Sequence, residues 1–429
     1  MFPSLRTTLA SGLCLLSFQS YAQEAKKIEL PKPVDVAAFM TKHPIYFSGS
    51  LRFRHEDHQW TDMASVRSFS LLRARMEFNI KPVDEKWSVF LQPQFVKAYG
   101  EQFYTPSASG GANANAITNS SGNTADNSVL FHQGYLNYKP SDFFSLVVGR
   151  EELSYGNELI IGKLNWGNVG RSFDTVHARY ERGNIWSDLF VAKVVDTNTN
   201  IRTSTYKGDR DLYGSYSQFK QVGWIDTVEV YGLYLNDHEV SPDYSVMTFG
   251  TRLVSKVQKG DYRLEMNKQV DKVQSSTIDG EIGYTFDSAK TFRLGVGAFI
   301  AEADYEHYYP GWHGWLGYAD LLGRKNIKGY NAIATYQVSE AFNLQLNYLK
   351  FYRVDPSKPA YKTNTSGAWA NNSDSPDIGS EIDLTVGYKI AKGPQLRMGV
   401  SKFFMGEYFS SQFEHRDLWF SYAEMEVRF

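Results

Sequence analysis

The sequence has almost no cysteine, no long apolar run and no excess of charge of either sign. Its one cysteine, Cys14, lies in an N-terminal stretch that reads as a secretory leader. Arg6 supplies the positive start and Leu9 to Phe18 a short apolar core. Ser20-Tyr21-Ala22 places small residues at the −3 and −1 positions, so cleavage is expected after Ala22. A lipoprotein would want a small residue just before the cysteine, and Leu13 stands there instead. Past residue 22 the absence of cysteine excludes disulfides, thiol nucleophiles and thiolate metal sites. No later run approaches the ~18 apolar residues of a transmembrane helix. With 45 basic against 47 acidic residues, the chain lacks the concentrated basic face that counterion release on nucleic acid requires.

What is abundant is aromatic. Phe, Tyr and Trp make up 15% of the chain, yet mean hydropathy is only −0.40, so the rings sit in a polar sequence. That pairing suits a barrel with an aromatic-girdled apolar exterior and a wet lumen. A chain without a spanning helix still enters a bilayer as a closed barrel, because full strand pairing satisfies the backbone without water.

After a polar leader at 23–43 that reads as a periplasmic tail, residues 44–429 break into segments of about ten residues with period-2 alternation. Strands are expected near 44–56, 67–80, 86–98, 129–139, 143–151, 174–182, 184–195, 210–220 and 225–236. They continue near 245–257, 260–270, 277–287, 291–302, 328–338, 342–353, 380–391, 395–405 and 416–429. Leu72, Ala74, Met76, Phe78 and Ile80 alternate with Arg73, Arg75, Glu77 and Asn79, and Ile382, Leu384 and Val386 with Glu381, Asp383 and Thr385.

Periodicity alone does not separate a soluble sandwich from a membrane barrel. Three features favour the barrel. The polar faces carry both signs of charge, as a lumen of cross-strand ion pairs would. The expected strand count is even and lies in the range used by single-chain outer-membrane barrels. The last strand alternates Trp419, Ser421, Ala423, Met425 and Val427 and ends in Phe429, which resembles the membrane-insertion signal of Gram-negative barrels. The expected fold is therefore all-β: a single transmembrane antiparallel barrel of about 18 strands, an up-and-down meander. Tight links at 139–143, 182–184, 259–261, 287–291 and 392–394 would form one rim, and long loops at 100–128, 152–173, 196–209, 303–327 and 354–379 the other. Loop 303–327 packs Tyr305, His307, Tyr308, Tyr309, Trp312, His313 and Trp315 together. Such a cluster stacks on sugar rings, with Tyr308, Trp312, Trp315 and Asp320 as candidate contacts, folds inward as a plug, or serves only loop-internal packing or interface anchoring.

Catalytic signatures are absent: there is no G-x-S-x-G, no H-E-x-x-H and no Walker loop. His307 and His313 have no third ligand at hairpin spacing, so neither a metal nor any other cofactor is expected. A barrel phospholipase would need a serine beside a histidine such as His177, and none is evident there.

The strongest local signal runs from 149 to 174. It reads Gly149-Arg150-Glu151-Glu152, Tyr155-Gly156-Asn157, Ile160-Ile161-Gly162, Trp166-Gly167-Asn168 and Arg171-Ser172-Phe173-Asp174. This stretch resembles the alginate-export family of outer-membrane porins. Trp315-Leu316-Gly317-Tyr318-Ala319-Asp320, Gly379-Ser380-Glu381-Ile382-Asp383-Leu384 and the arginines at 52, 54, 73 and 75 match it more weakly. The resemblance covers about 45–429, and it departs at Glu151, where the family often has an amide. It implies an 18-stranded monomeric channel whose electropositive constriction passes a uronate polymer outward.

The physics agrees in outline, since a polyanion crossing a bilayer needs fixed cations, and arginine offers a permanent charge and a bidentate fork. Candidate pore-lining residues are Arg52, Arg54, Arg73, Arg75, Arg150, Arg171, Arg252, Arg263, Arg293 and Arg397. Glu56, Glu77, Asp174, Glu265, Glu381 and Asp383 stand against them. The bland alternative is that these charges pair and merely stiffen the interior. The expected partners are the outer-membrane bilayer, the translocated anion or anionic polysaccharide, and the barrel-assembly machinery. A nutrient-uptake porin for small carboxylates or sugars is the alternative function.

Overall fold

The computed structural model describes residues 45–60, 67–81, 86–100, 129–194, 210–237, 244–286, 289, 291–311, 313–363, 367–391, 393–412 and 417–429. The expected leader and tail, and Trp312, lie outside these residues. Eighteen antiparallel strands, numbered β1 to β18 in chain order, run from β1 (Ile45–Trp60) to β18 (Leu418–Arg428). Each pairs with the next, and β18 pairs back onto β1, so the sheet closes and leaves no edge. The seam ends where the Gly49 and Phe429 backbones exchange hydrogen bonds of 2.8 and 3.0 Å.

Alternation now has a direction. On β1, Arg52, Arg54 and Glu56 are buried while Leu51 and Phe53 are exposed, and β2 (Arg67–Ile80) buries Arg73 and Arg75 while exposing Met76. Ile282 is 62% exposed and Val296 55%, whereas Glu381 is 0% and Asp383 1% exposed. A soluble sandwich would show the reverse, so the apolar face is the lipid face and the charges line the lumen. Aromatics flank the apolar band at the short-turn rim, including Trp87, Phe143, Tyr180, Trp224, Tyr284 and Phe429.

Short turns follow local chemistry. β6 (Phe173–Arg182) and β7 (Ile185–Val194) are joined by Gly183-Asn184, with Gly183 at φ +60°, a conformation that two-residue hairpins require and glycine supplies freely. Proline acts in β3 (Trp87–Gly100). Pro93 has no N–H for the ladder, and the register against β4 (Val129–Ser141) shifts there, leaving His132 as an extra residue. Through this bulge His132 and Gln133 both reach groups inside the lumen.

Candidate functional site

The site begins with the β1 and β2 alternation. It brings four guanidiniums to one stretch of inner wall, with Arg52 directly opposite Arg73 in the register. Their partners are mostly the backbone of loop 152–172, which folds into the lumen. Arg52 donates to the carbonyls of Asn165 (2.7 Å), Trp166 (3.3 Å) and Gly167 (3.0 Å). Arg73 donates to Asn165 O (3.1 Å), Gly167 O (3.2 Å) and Asn165 Oδ1 (3.0 Å). Arg54 reaches Trp166 O at 2.7 Å, and Arg75 reaches Val169 O at 3.0 Å. Carboxylates answer three of the four: Glu424 lies 3.8 Å from Arg52, Glu56 2.7 Å from Arg54, and Glu152 3.1 Å from Arg75. Arg73 has no carboxylate within ion-pair distance among the described residues. Arg54 also stacks on the Trp166 ring at 3.7 Å, and His313 covers that ring at 3.5 Å.

A second loop, 302–326, meets the first inside the barrel. Ile161 and Tyr309 form a parallel bridge, with Gly162 N–H donating to Tyr309 O at 2.7 Å and Tyr309 N–H to Ile160 O at 3.0 Å. Arg171 staples the two by donating to the carbonyls of Gly162, Tyr309 and Pro310 at 3.1, 2.5 and 3.0 Å. Burial pushes the Arg171 guanidinium down to about 10, which still leaves it charged at neutral pH. The wall holds this second loop through acceptors. Glu381 on β16 (Asp377–Lys389) takes the Ala319 N–H at 2.8 Å, and Asp383 takes that of Tyr318 at 3.5 Å. Gly317, at φ +91°, lies against the Glu381 carboxylate, where a Cβ would collide with it.

Beneath loop 152–172 the lumen opens into a cavity of about 490 Å³ between β4, β5 (Phe144–Glu151), β6 and β7. Lys139, Ser145 and Glu181 place it toward the short-turn rim, with Glu152, Tyr155 and Lys163 toward the loop. Glu152 gives one oxygen to Arg75 at 3.1 Å and His132 at 2.8 Å. Burial works against its charge, but the His132 hydrogen bond and the Arg75 charge win and hold its carboxyl below the usual range.

The profile of the alginate export family matches residues 44–416. The chain belongs to the alginate export family. Three solved structures have the same barrel. Pseudomonas aeruginosa OccK5 (OpdH) is 10% identical with a TM-score of 0.63, over 90% of this chain and 97% of that one. Acinetobacter baumannii OccAB4 is 10% identical with a TM-score of 0.63, over 90% and 98%. Pseudomonas aeruginosa OpdK, solved with vanillate, is 11% identical with a TM-score of 0.63, over 90% and 98%. Likenesses at this identity establish the fold. Among curated proteins none matches the chain. This member of the alginate export family is thus an outer-membrane β-barrel channel.

In this channel of the alginate export family the remaining arginines expected in the lumen face inward beside acids. Arg252 meets Glu229 at 3.0 Å and Glu265 at 3.9 Å, and Arg263 meets Asp279 at 2.5 Å. Arg293 meets Asp261 at 2.5 Å and Glu281 at 2.8 Å, and Arg397 meets Glu424 and Glu426. Glu77 accepts from Ser48 and Gln92. Arg150 and Asp174 require a correction. They pair with each other at 2.8 Å, but Arg150 shares parity with Leu146 and the exposed Val148, and Asp174 with the exposed Val176. Both therefore lie on the outer wall. Arg171 belongs to the loop staple, not to the strand wall. Tyr308 also departs from the sugar-contact expectation: it is 4% exposed, donates to Val246 O at 2.8 Å and accepts from Thr248. Trp315 faces the Arg263 and Arg324 guanidiniums at 5.1 and 5.7 Å, and Asp320 bonds His313 at 2.8 Å. Sequence reasoning missed the cavity. Pro93, which forces the β4 bulge, and the Lys163 side chain were its available signals.

Proposed function

We propose that this channel prefers anions and carries an anionic polysaccharide, alginate, outward across the outer membrane. The observation that carries the reading is the row of Arg52, Arg54, Arg73 and Arg75, whose forks are held on neutral backbone carbonyls of loop 152–172. A guanidinium binds a carboxylate more strongly than a neutral carbonyl. A uronate entering the lumen therefore competes for the donors that hold the loop, and the loop yields to the charge the row selects. Membership of the alginate export family supports the choice of polymer. On this reading the protein performs passage and no bond chemistry, works as a single barrel, and is inserted by the assembly machinery through the strand ending at Phe429.

The test is the single-channel reversal potential of refolded protein in a potassium chloride gradient, with and without added oligouronate. Anion preference with block by oligouronate is expected. Cation preference would remove the reading and leave the barrel.

A further inference from the structure

The cavity below loop 152–172 has charges of two kinds. Arg179 grips Asp188 through two nitrogens at 2.6 and 2.7 Å. His177 bridges Asp188 and Glu151 at 3.2 and 3.1 Å. These four answer one another. Lys163 is different. It hangs from the loop with its side chain 39% exposed, and its ion-pair partner among the described residues is Glu152 at 4.0 Å. That carboxylate is already held by Arg75 and His132, so Lys163 is the surplus cation at the loop end of the cavity, while Lys139 and Glu181 stand at its short-turn end. Across from it, the Tyr135 hydroxyl, the Asn137 amide and the Ser145 hydroxyl line the same space. None of the three makes a side-chain hydrogen bond among the described residues.

We infer that this cavity is a docking site for a hydroxylated carboxylate, a sugar acid or the uronate end of a chain, approached from the short-turn side. Lys163 receives the carboxylate, and Tyr135, Asn137 and Ser145 bind hydroxyls. The volume of about 490 Å³ falls within the ~300–1,000 Å³ typical of small-ligand sites. A lone lysine would take any anion. Polar groups left unpaired by an analogue without hydroxyls are what discriminate. Lys163 also sits at the start of the segment whose carbonyls the arginine row holds, its own carbonyl accepting the Arg171 N–H at 2.8 Å. Occupancy here is thus felt by the loop that the anion must displace. The inference rests on the anion-channel reading above.

The experiment is current block in planar bilayers, with a mannuronate trimer, maltotriose or acetate added to the short-turn side. The trimer is expected to block wild type at least tenfold more strongly than maltotriose. Lys163→Gln weakens that block about tenfold, and Lys163→Arg restores it. Tyr135→Phe combined with Asn137→Ala weakens block by the trimer and leaves the acetate response unchanged. Circular dichroism in detergent verifies that each variant is folded. Equal block of wild type and Lys163→Gln, or equal block by maltotriose and the trimer, would overturn the docking site. A pore that prefers anions but is not blocked by the trimer from this side loses the docking site alone. A pore that prefers cations loses the channel reading as well.

Discussion

Removing the charge at Arg73 should loosen the inward loop and open the pore more often. Arg73 donates three hydrogen bonds, to Asn165 O, Gly167 O and Asn165 Oδ1, each worth about 1.5 kcal/mol from a charged donor. Against this, the Gln amide of Arg73→Gln regains about 1 kcal/mol, and the opposed pair with Arg52 across β1 and β2 is relieved of up to about 1 kcal/mol. The loop therefore loses about 2.5–3.5 kcal/mol of anchoring, a factor of roughly 70–400 in its displaced fraction. Single-channel recording reads this as the share of time in the larger conductance state, and anion preference should fall in the same traces. Arg73→Lys, which keeps the charge and loses the fork, should fall between the two. If Arg73→Gln left the larger state as rare as in wild type, the guanidinium grip would not be what holds the loop.

Three further outcomes follow from particular contacts. At Gly49 a Cβ would lie 2.7 Å from the Phe429 ring and 2.8 Å from the Arg75 carbonyl, so Gly49→Val should strain the β1–β18 seam by about 1–3 kcal/mol and lower the urea midpoint of the refolded barrel. Glu152, held below the usual carboxyl range, stabilises its loop anchor fully above its unfolded pKa of about 4.3. That anchor is lost as pH falls through the lower folded value. Limited proteolysis of the loop should rise below about pH 4, and Glu152→Gln should abolish the dependence. Because Arg150 lies outside the lumen, Arg150→Gln should leave the reversal potential where it is, while Arg397→Gln, which removes one lumen cation beside Glu424 and Glu426, should shift it toward cations.

The strands were legible because lipid and water impose opposite chemistry on alternate residues. Where that contrast fades, so do the boundaries. β1 continues to Trp60, past the expected end near 56, because its outward residues become His55, Asp57 and Gln59 and the pattern no longer alternates. The sidedness of Arg150 was recoverable, since Val148, two residues earlier, points to lipid and the apolar Leu146, four residues earlier, shares its parity. The role of the arginine row was not. Its partners are main-chain carbonyls some 90 to 115 residues away, and a carbonyl has no letter in a sequence. The second loop was recognisable as aromatic, but Tyr308 turning to the wall depends on Thr248 and Val246, on a strand about 60 residues earlier.

Holding a loop by its backbone has an evolutionary consequence. Apart from the Asn165 Oδ1 and the Trp166 ring, the arginines recognise Asn165, Trp166, Gly167 and Val169 through oxygens that every residue carries. Substitutions along 163–169 other than at Asn165, Trp166 and Asn168, whose side chains also hold the loop, can therefore change what it shows to the passage without unhooking it. Lys163 is one such position, because the Arg171 N–H holds its carbonyl and not its side chain. The barrel and its four guanidiniums form a constant socket, and the side chains of the inserted segment are the part in which new selectivity can arise by single changes.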